Sequence, residues 1–202
     1  MALITNYSTL KQGIADYLAR DDLTTFIPNF VQNAENKLRR TLNLRNEETA
    51  LSVSVSSGVA TVPTDFKALK FVYFDGSPVN LLEWVTLEEL YQEYPVRTGA
   101  QTPNLISREG ASFTFGPFAK DGTIKGIYYA KSDALETTDP SWYVTNAPEV
   151  LLYTSLLEAA PFIHDDPRIA VWQQFALDAV ETLKAENDAA EFSQGPIRQR
   201  RS

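Results

Sequence analysis

No cysteine occurs in the 202 residues, which removes disulfides, cysteine-ligated zinc, iron–sulfur clusters and thiol nucleophiles together. A single histidine, His164, leaves little from which to assemble a catalytic triad. No stretch approaches the roughly 18 apolar residues of a membrane-spanning helix, and Met1 to Leu10 lacks the basic start and apolar run of a secretory leader. A soluble, non-secreted protein is therefore expected. Basic residues are in the minority: 18 Lys and Arg against 26 Asp and Glu give a net charge of -8, the wrong sign for gripping nucleic acid by neutralising phosphates. Also missing are a glycine-rich phosphate loop after a strand and a serine in a nucleophile elbow. These absences predict a protein that is not an enzyme and needs no cofactor.

What the chain does contain is apolar periodicity of two kinds. Ala147 to Ala190 carries a helical pattern broken once, at His164-Asp165-Asp166-Pro167. Pro148 suits a first helical position, and Val150, Leu152, Tyr153, Leu156, Leu157 and Ala160 follow at helical spacing until Pro161 kinks or ends the arm. Asp166 is placed to cap a second arm, with Ile169, Trp172, Phe175, Ala176, Ala179, Val180 and Leu183 on one face. Near the N-terminus, Thr5 or Asn6 caps a helix whose Leu10, Ile14, Tyr17 and Leu18 share a face. After the polar break Arg20-Asp21-Asp22, Pro28 opens another with Phe30, Val31, Ala34, Leu38 and Leu42 inward and Glu35, Lys37, Arg39 and Arg40 mostly off that face.

Between these helices the period falls to two. Leu51, Val53 and Val55 alternate with serines, Ser57-Gly58 makes a turn, and Val59 to Val62 returns. Phe66 to Phe74, Val79 to Leu82, Leu105-Ile106, Ser112 to Phe115 and Thr123 to Ala130 are further β-prone runs. Thr86 and Glu89 stand at capping-box spacing, which predicts a short helix over 87–94. Thr137 to Asn146 is a polar connection anchored by the rings of Trp142 and Tyr143. The expected fold is α+β: a helical bundle built from N-terminal and C-terminal helices, residues 1–46 and 147–190, with a small antiparallel β domain, residues 47–146, inserted between them. Residues 191–202 hold Gly195-Pro196 and little apolar surface, and are expected to form a flexible C-terminal tail.

Candidate chemistry is sparse. His164-Asp165-Asp166 is the one cluster with metal or acid–base potential, but capping explains Asp166 and exposure explains Asp165. The capping box already uses Glu89 of the Glu88-Glu89 pair. Lys37, Arg39 and Arg40 suit the negative end of a helix and are too few for a nucleic-acid patch.

Several stretches together resemble head-to-tail adaptor (connector) proteins of tailed bacteriophages. Tyr17-Leu18-Ala19-Arg20-Asp21-Asp22 followed by Phe30 to Arg40 is similar to the family's paired N-terminal helices, with an Ala-Glu step (Ala34-Glu35) before a basic end. Val62-Pro63-Thr64-Asp65-Phe66 resembles a Leu-Pro-x-Asp-Phe step in its β region, and Tyr128-Tyr129-Ala130-Lys131 with Asn146 to Ala160 resembles its last strand and the following helix. Pro161 departs from the pattern by interrupting a helix expected to run on. The resemblance implies a virion protein of the neck, present in the host cytoplasm during assembly. It further implies a ring of twelve copies docked beneath the portal protein, contacting a tail or nozzle protein and passing double-stranded DNA without tight binding. A closed ring demands two complementary faces on each copy. The tail then becomes a portal-docking peptide, Ile197 filling an apolar pocket while Arg198, Arg200 and Arg201 bind carboxylates. Rival readings are a tail-completion protein, a small phage enzyme and a cell-wall-binding module.

If the His164 cluster is a helix junction, His164→Ala and Asp165→Ala will leave metal content and stability unchanged, and only Asp166→Ala will lower the melting temperature. Metal that survives chelation in the parent and disappears in these variants, measured by elemental analysis, would contradict this.

Overall fold

The computed structural model describes residues 3–132, 135, 137–163 and 166–192. Helices from both ends of the chain cluster as Met1–Asn46 with Ser132–Ser202, and Glu47–Lys131 clusters separately.

In the helical unit, α1 (Tyr7–Leu18) starts from a reciprocal cap: Asn6 Oδ1 accepts the Thr9 N–H at 2.8 Å while Thr9 Oγ1 accepts the Asn6 N–H at 3.0 Å. A 3-10 turn over Asp21–Phe26 leads into α2 (Ile27–Thr41), with Pro28 in its first turn. Ser141 caps α4 (Trp142–Asn146), which runs directly into α5 (Pro148–Glu158), and α6 (Arg168–Phe192) closes the unit. Helix α5 packs against α1, α2, α4 and α6 and buries Val150, Leu151, Leu152 and Leu156, each worth on the order of 1.5–3 kcal/mol. Its buried Thr154 and Ser155 hydroxyls donate to the carbonyls of Val150 and Leu151, both at 2.6 Å, so neither is left unsatisfied. Pro161 ends the helix: α5 stops at Glu158 and Ala160–Phe162 is a single 3-10 turn. His164 and Asp165 lie outside the described residues, while Asp166 Oδ1 accepts the Arg168 N–H at 2.9 Å as a cap should.

In the other unit, β1 (Glu48–Ser56), β2 (Val59–Thr61), β3 (Phe66–Phe74), β4 (Asn80–Leu81) and β5 (Glu83–Trp84) precede α3 (Leu87–Glu93). After it come β6 (Leu105–Glu109), β7 (Ser112–Gly116) and β8 (Gly122–Ala130). All eight strands join one sheet in the order β4-β3-β8-β1-β2-β7-β6-β5. The ends of this order, β4 and β5, are separated in the chain by Leu82 alone. Such a connection is possible only if the sheet curls until its two edges meet, which makes it a nearly closed barrel.

The expected α+β bundle with a small antiparallel insertion is thus incorrect. The fold is mixed α/β with a large eight-stranded sheet, and β5 and β6 pair in parallel at Glu83↔Leu105 and Trp84↔Ile106. The cause is α3. A strand, a crossing helix and a return strand give parallel neighbours, whereas a hairpin gives antiparallel ones.

Two stretches with no chain proximity are tied together here. Tyr128 donates its hydroxyl hydrogen to the Asp65 carboxylate, with O···O distances of 3.0 and 3.2 Å, and the Lys131 N–H donates to the Asp65 carbonyl at 2.7 Å. Phe66 stacks on Tyr128 at 5.8 Å and meets Phe113 edge-on at 5.4 Å. The Pro-x-Asp-Phe step and the Tyr-Tyr-Ala-Lys strand end are therefore the two halves of one staple between β3 and β8. Gly126, further along β8, cannot carry a side chain, because a Cβ there would collide with the Phe71 carbonyl oxygen.

A hydrogen bond to a carboxylate contributes about 1.5–3 kcal/mol, so Tyr128→Phe and Asp65→Ala should each lower stability by about that amount. Their double mutant should cost clearly less than the sum in urea unfolding, as expected of contacting partners. Strict additivity would show that the pair is not coupled.

Candidate functional site

Among the described residues there is no group of three or more His, Cys, Asp or Glu placed to hold a metal ion. Asp166 is engaged by Arg168, whose guanidinium donates to both carboxylate oxygens and holds the carboxyl below its usual range. Thr86 accepts the Glu89 N–H at 3.2 Å, which accounts for the start of α3.

Like Glu47, Glu35 is a carboxylate drawn out of a surface role. Helical periodicity placed it mostly off the inward face of α2, yet it is 4% exposed. It accepts from the Leu135 N–H at 2.9 Å and from Arg39 Nη2 at 2.8 Å. Burial raises its pKa; Arg39 and the Leu135 N–H pull the other way without cancelling that effect. The role is structural: Glu35 fixes Leu135 of the post-strand connection onto α2. Arg39, expected in a solvated helix end, is drawn into this contact, while Lys37 reaches Glu158 at 3.5 Å.

The proposed docking residues Ile197, Arg198, Arg200 and Arg201 lie outside the described residues. Beside the last turns of α6 is a cavity of 450 Å³ lined by Leu44, Trp142, Leu183 and Asn187 among others. Arg45 helps to shape it, its N–H donating to Asn187 Oδ1 at 2.8 Å and its guanidinium to the Ala190 carbonyl at 3.2 Å.

Exposed apolar side chains are the feature that the sequence left unassigned. Helix α6 buries Trp172, Ala176 and Leu183 but leaves Val171, Phe175 and Leu177 about half exposed. Phe175, expected in the core, instead rests on Tyr153 with ring centroids 5.2 Å apart. Tyr153 is in turn hydrogen-bonded with Tyr17, which together with burial pushes its hydroxyl up to about 12. Phe26 and Phe162 form a further half-exposed pair at 5.6 Å. In the β unit, Phe71, Leu81 and Trp84 are exposed beside a groove of 640 Å³. The available signal was an excess: α6 has more apolar positions than one buried stripe can use.

Half-exposed apolar side chains of this kind are material for contacts with other proteins. The chain belongs to the SU10 adaptor protein family, whose profile matches residues 5–200. It is a bacteriophage structural adaptor, associated with the virion and with other virion proteins as partners. No curated protein matches the chain. No described helix is long and apolar enough to cross a membrane.

Because the folded pKa of Glu35 lies above its ordinary value, the folded state holds the proton more tightly than the unfolded chain. Its contribution to stability is therefore full below the ordinary glutamate range near about 4.3, and is lost as pH rises through the raised value. Urea midpoints measured across this window should show the wild-type minus Glu35→Gln difference falling as pH rises. A difference that grows with pH would reverse the assignment.

Proposed function

We propose that this adaptor is the head-to-tail connector: a ring that docks beneath the portal, links capsid to tail and forms part of the DNA exit channel. The observation that carries the reading is the family match across residues 5–200. The exposed apolar residues of the helical unit, Val171, Phe175 and Leu177 on α6 with Phe26 and Phe162, are suited to subunit contact, as material for one of the two different, mutually complementary faces that a ring needs on each copy. A net charge of -8 suits a passage wall along which duplex DNA slides without counterion-release binding. Ile197, Arg198, Arg200 and Arg201 serve as the portal latch, where repetition around a ring turns modest affinity into firm attachment.

Co-expression with the portal protein should yield a complex of ring mass by native mass spectrometry. Val171→Asp with Phe175→Asp should abolish the ring while leaving the melting temperature within a few degrees, because both side chains are already half exposed. Deleting Gly195 to Ser202 should leave melting intact and weaken attachment to portal-containing heads. Failure to form any portal complex overturns the proposal, and a labelled copy imaged at the far end of the tail identifies a tail-completion protein instead.

A further inference from the structure

The barrel of the β unit is not fully closed. Strand β8 flanks β3 from Phe66 to Phe74, but on the other side β4 pairs only with Tyr73 and Phe74, followed by the Leu82 N–H donating to the Val72 carbonyl at 3.1 Å. Across the gap, β7 flanks all of β6, while β5 pairs only with Leu105 and Ile106. Among the described residues, then, no strand covers the outer edge of β3 before Val72 or of β6 after Ile106. The 640 Å³ groove lies in this seam, lined along β3 from Phe66 to Val72 and on the far side by Trp84 and Arg108.

An open strand edge is a template for another strand, and proteins ordinarily shorten, charge or cover such edges. β3 carries two further devices of this kind, the bulges between Phe66 and Ala68 and between Leu69 and Phe71 and the lysines Lys67 and Lys70, yet its outer edge stays uncovered and is bordered by apolar side chains held out to solvent: Phe71 is 46% exposed, Leu81 58% and Trp84 47%. Charge narrows the occupant. Lys67, Lys70 and Arg108 line the groove and no carboxylate does, in a chain with an acidic excess. Lys67 and Lys70 are balanced by Glu47 at 2.7 Å and Glu48 at 2.6 Å, so the positive sign of the rim rests on Arg108. Arg108 lies over the Phe66 ring at 5.6 Å and donates to the Gly110 carbonyl, and its charge faces no carboxylate in either contact.

We propose that the seam is a strand-addition site: an extended segment of a partner protein, alternating apolar and acidic residues, pairs with the β3 edge and completes the barrel. Main-chain hydrogen bonds supply affinity in this mode, and pockets for alternate side chains supply selectivity. The chain's own C-terminal segment is excluded as occupant by sign, since Arg198, Arg200 and Arg201 match the charge of the rim. The site is confined to residues of the β unit and stands whether or not the protein forms a ring.

The test uses the full chain and a short capped peptide alternating valine and glutamate. Trp84 emission follows binding, with Trp84→Phe as the blank, and backbone amide exchange locates it. The peptide should bind saturably and slow exchange at residues 68–71. A central proline, which removes a backbone donor, and replacement of glutamate by lysine should each weaken binding by at least about tenfold. Phe71→Asp, at an exposed position, should do the same without loss of melting temperature. Absence of binding, equal binding of the proline peptide, protection confined to other residues, or preference for a peptide of sequence 195–202 would each overturn the proposal.

Discussion

Leu82 is the one residue between β4 and β5, and these strands stand at opposite ends of the sheet order. A sheet whose two ends are joined by one residue cannot remain open, so the connection itself imposes the curl. The curl in turn creates the interior: Ile106, Phe113, Phe115 and Ile124 are fully excluded from water because strands of distant sequence face one another across the enclosed space. Closure is complete wherever strands are long and incomplete where the two short ones meet. The exposed backbone edge of the β unit is thereby confined to one seam, and the groove arises from the same connection that closes the barrel.

Local order was legible because it is periodic. Alternation in β1, the turn at Ser57-Gly58, the caps at Asn6, Thr86 and Asp166, and the termination by Pro161 are each decided by a few neighbouring residues. Sheet architecture was not legible, since it depends on pairings with no local signature. β1 keeps its hairpin with β2 but takes β8 on its other side from Glu48↔Tyr129 to Val55↔Gly122, and β2 takes β7, so that β2 and β3, consecutive in the chain, are separated by β1 and β8. The sequence reads Val79 to Leu82 as one β-prone run, and only the separate partners of Asn80–Leu81 and Glu83–Trp84 reveal a closure point.

Side-chain placement failed in the sequence reading where a helix serves two neighbours. Periodicity assumes one buried face, and on that assumption Glu35 points outward; its pairing with the Leu135 N–H instead makes the polar side of α2 part of the packing. The assumption fails in the opposite sense on α6, where Phe175 belongs to the apolar pattern but finds only Tyr153 beneath it. The short helix Trp142–Asn146 was hidden for another reason: five residues carry too little periodicity to register, although Ser141 capping and the buried Tyr143 and Val144 are plain once folded. The docking residues proposed from the tail fall beyond the described region, so none of the surfaces found on the two units derives from them.

The two kinds of exposed surface differ in what they ask of a partner. On α6 the exposed groups are side chains, whose burial is non-directional and tolerates a partner of any backbone form with matching shape. In the seam the exposed groups include a strand edge, which only extended backbone in register can satisfy. Half-exposed side chains cost a free monomer little, because each has already surrendered part of its surface, and they become decisive only when many copies repeat the same small contact. A strand edge acts singly, because every second residue of an added strand pairs its N–H and C=O with it. On the proposed reading, in which the adaptor joins like copies and also holds an unlike neighbour, the two tasks fall to different surfaces, repeated apolar contacts for the first and strand pairing for the second.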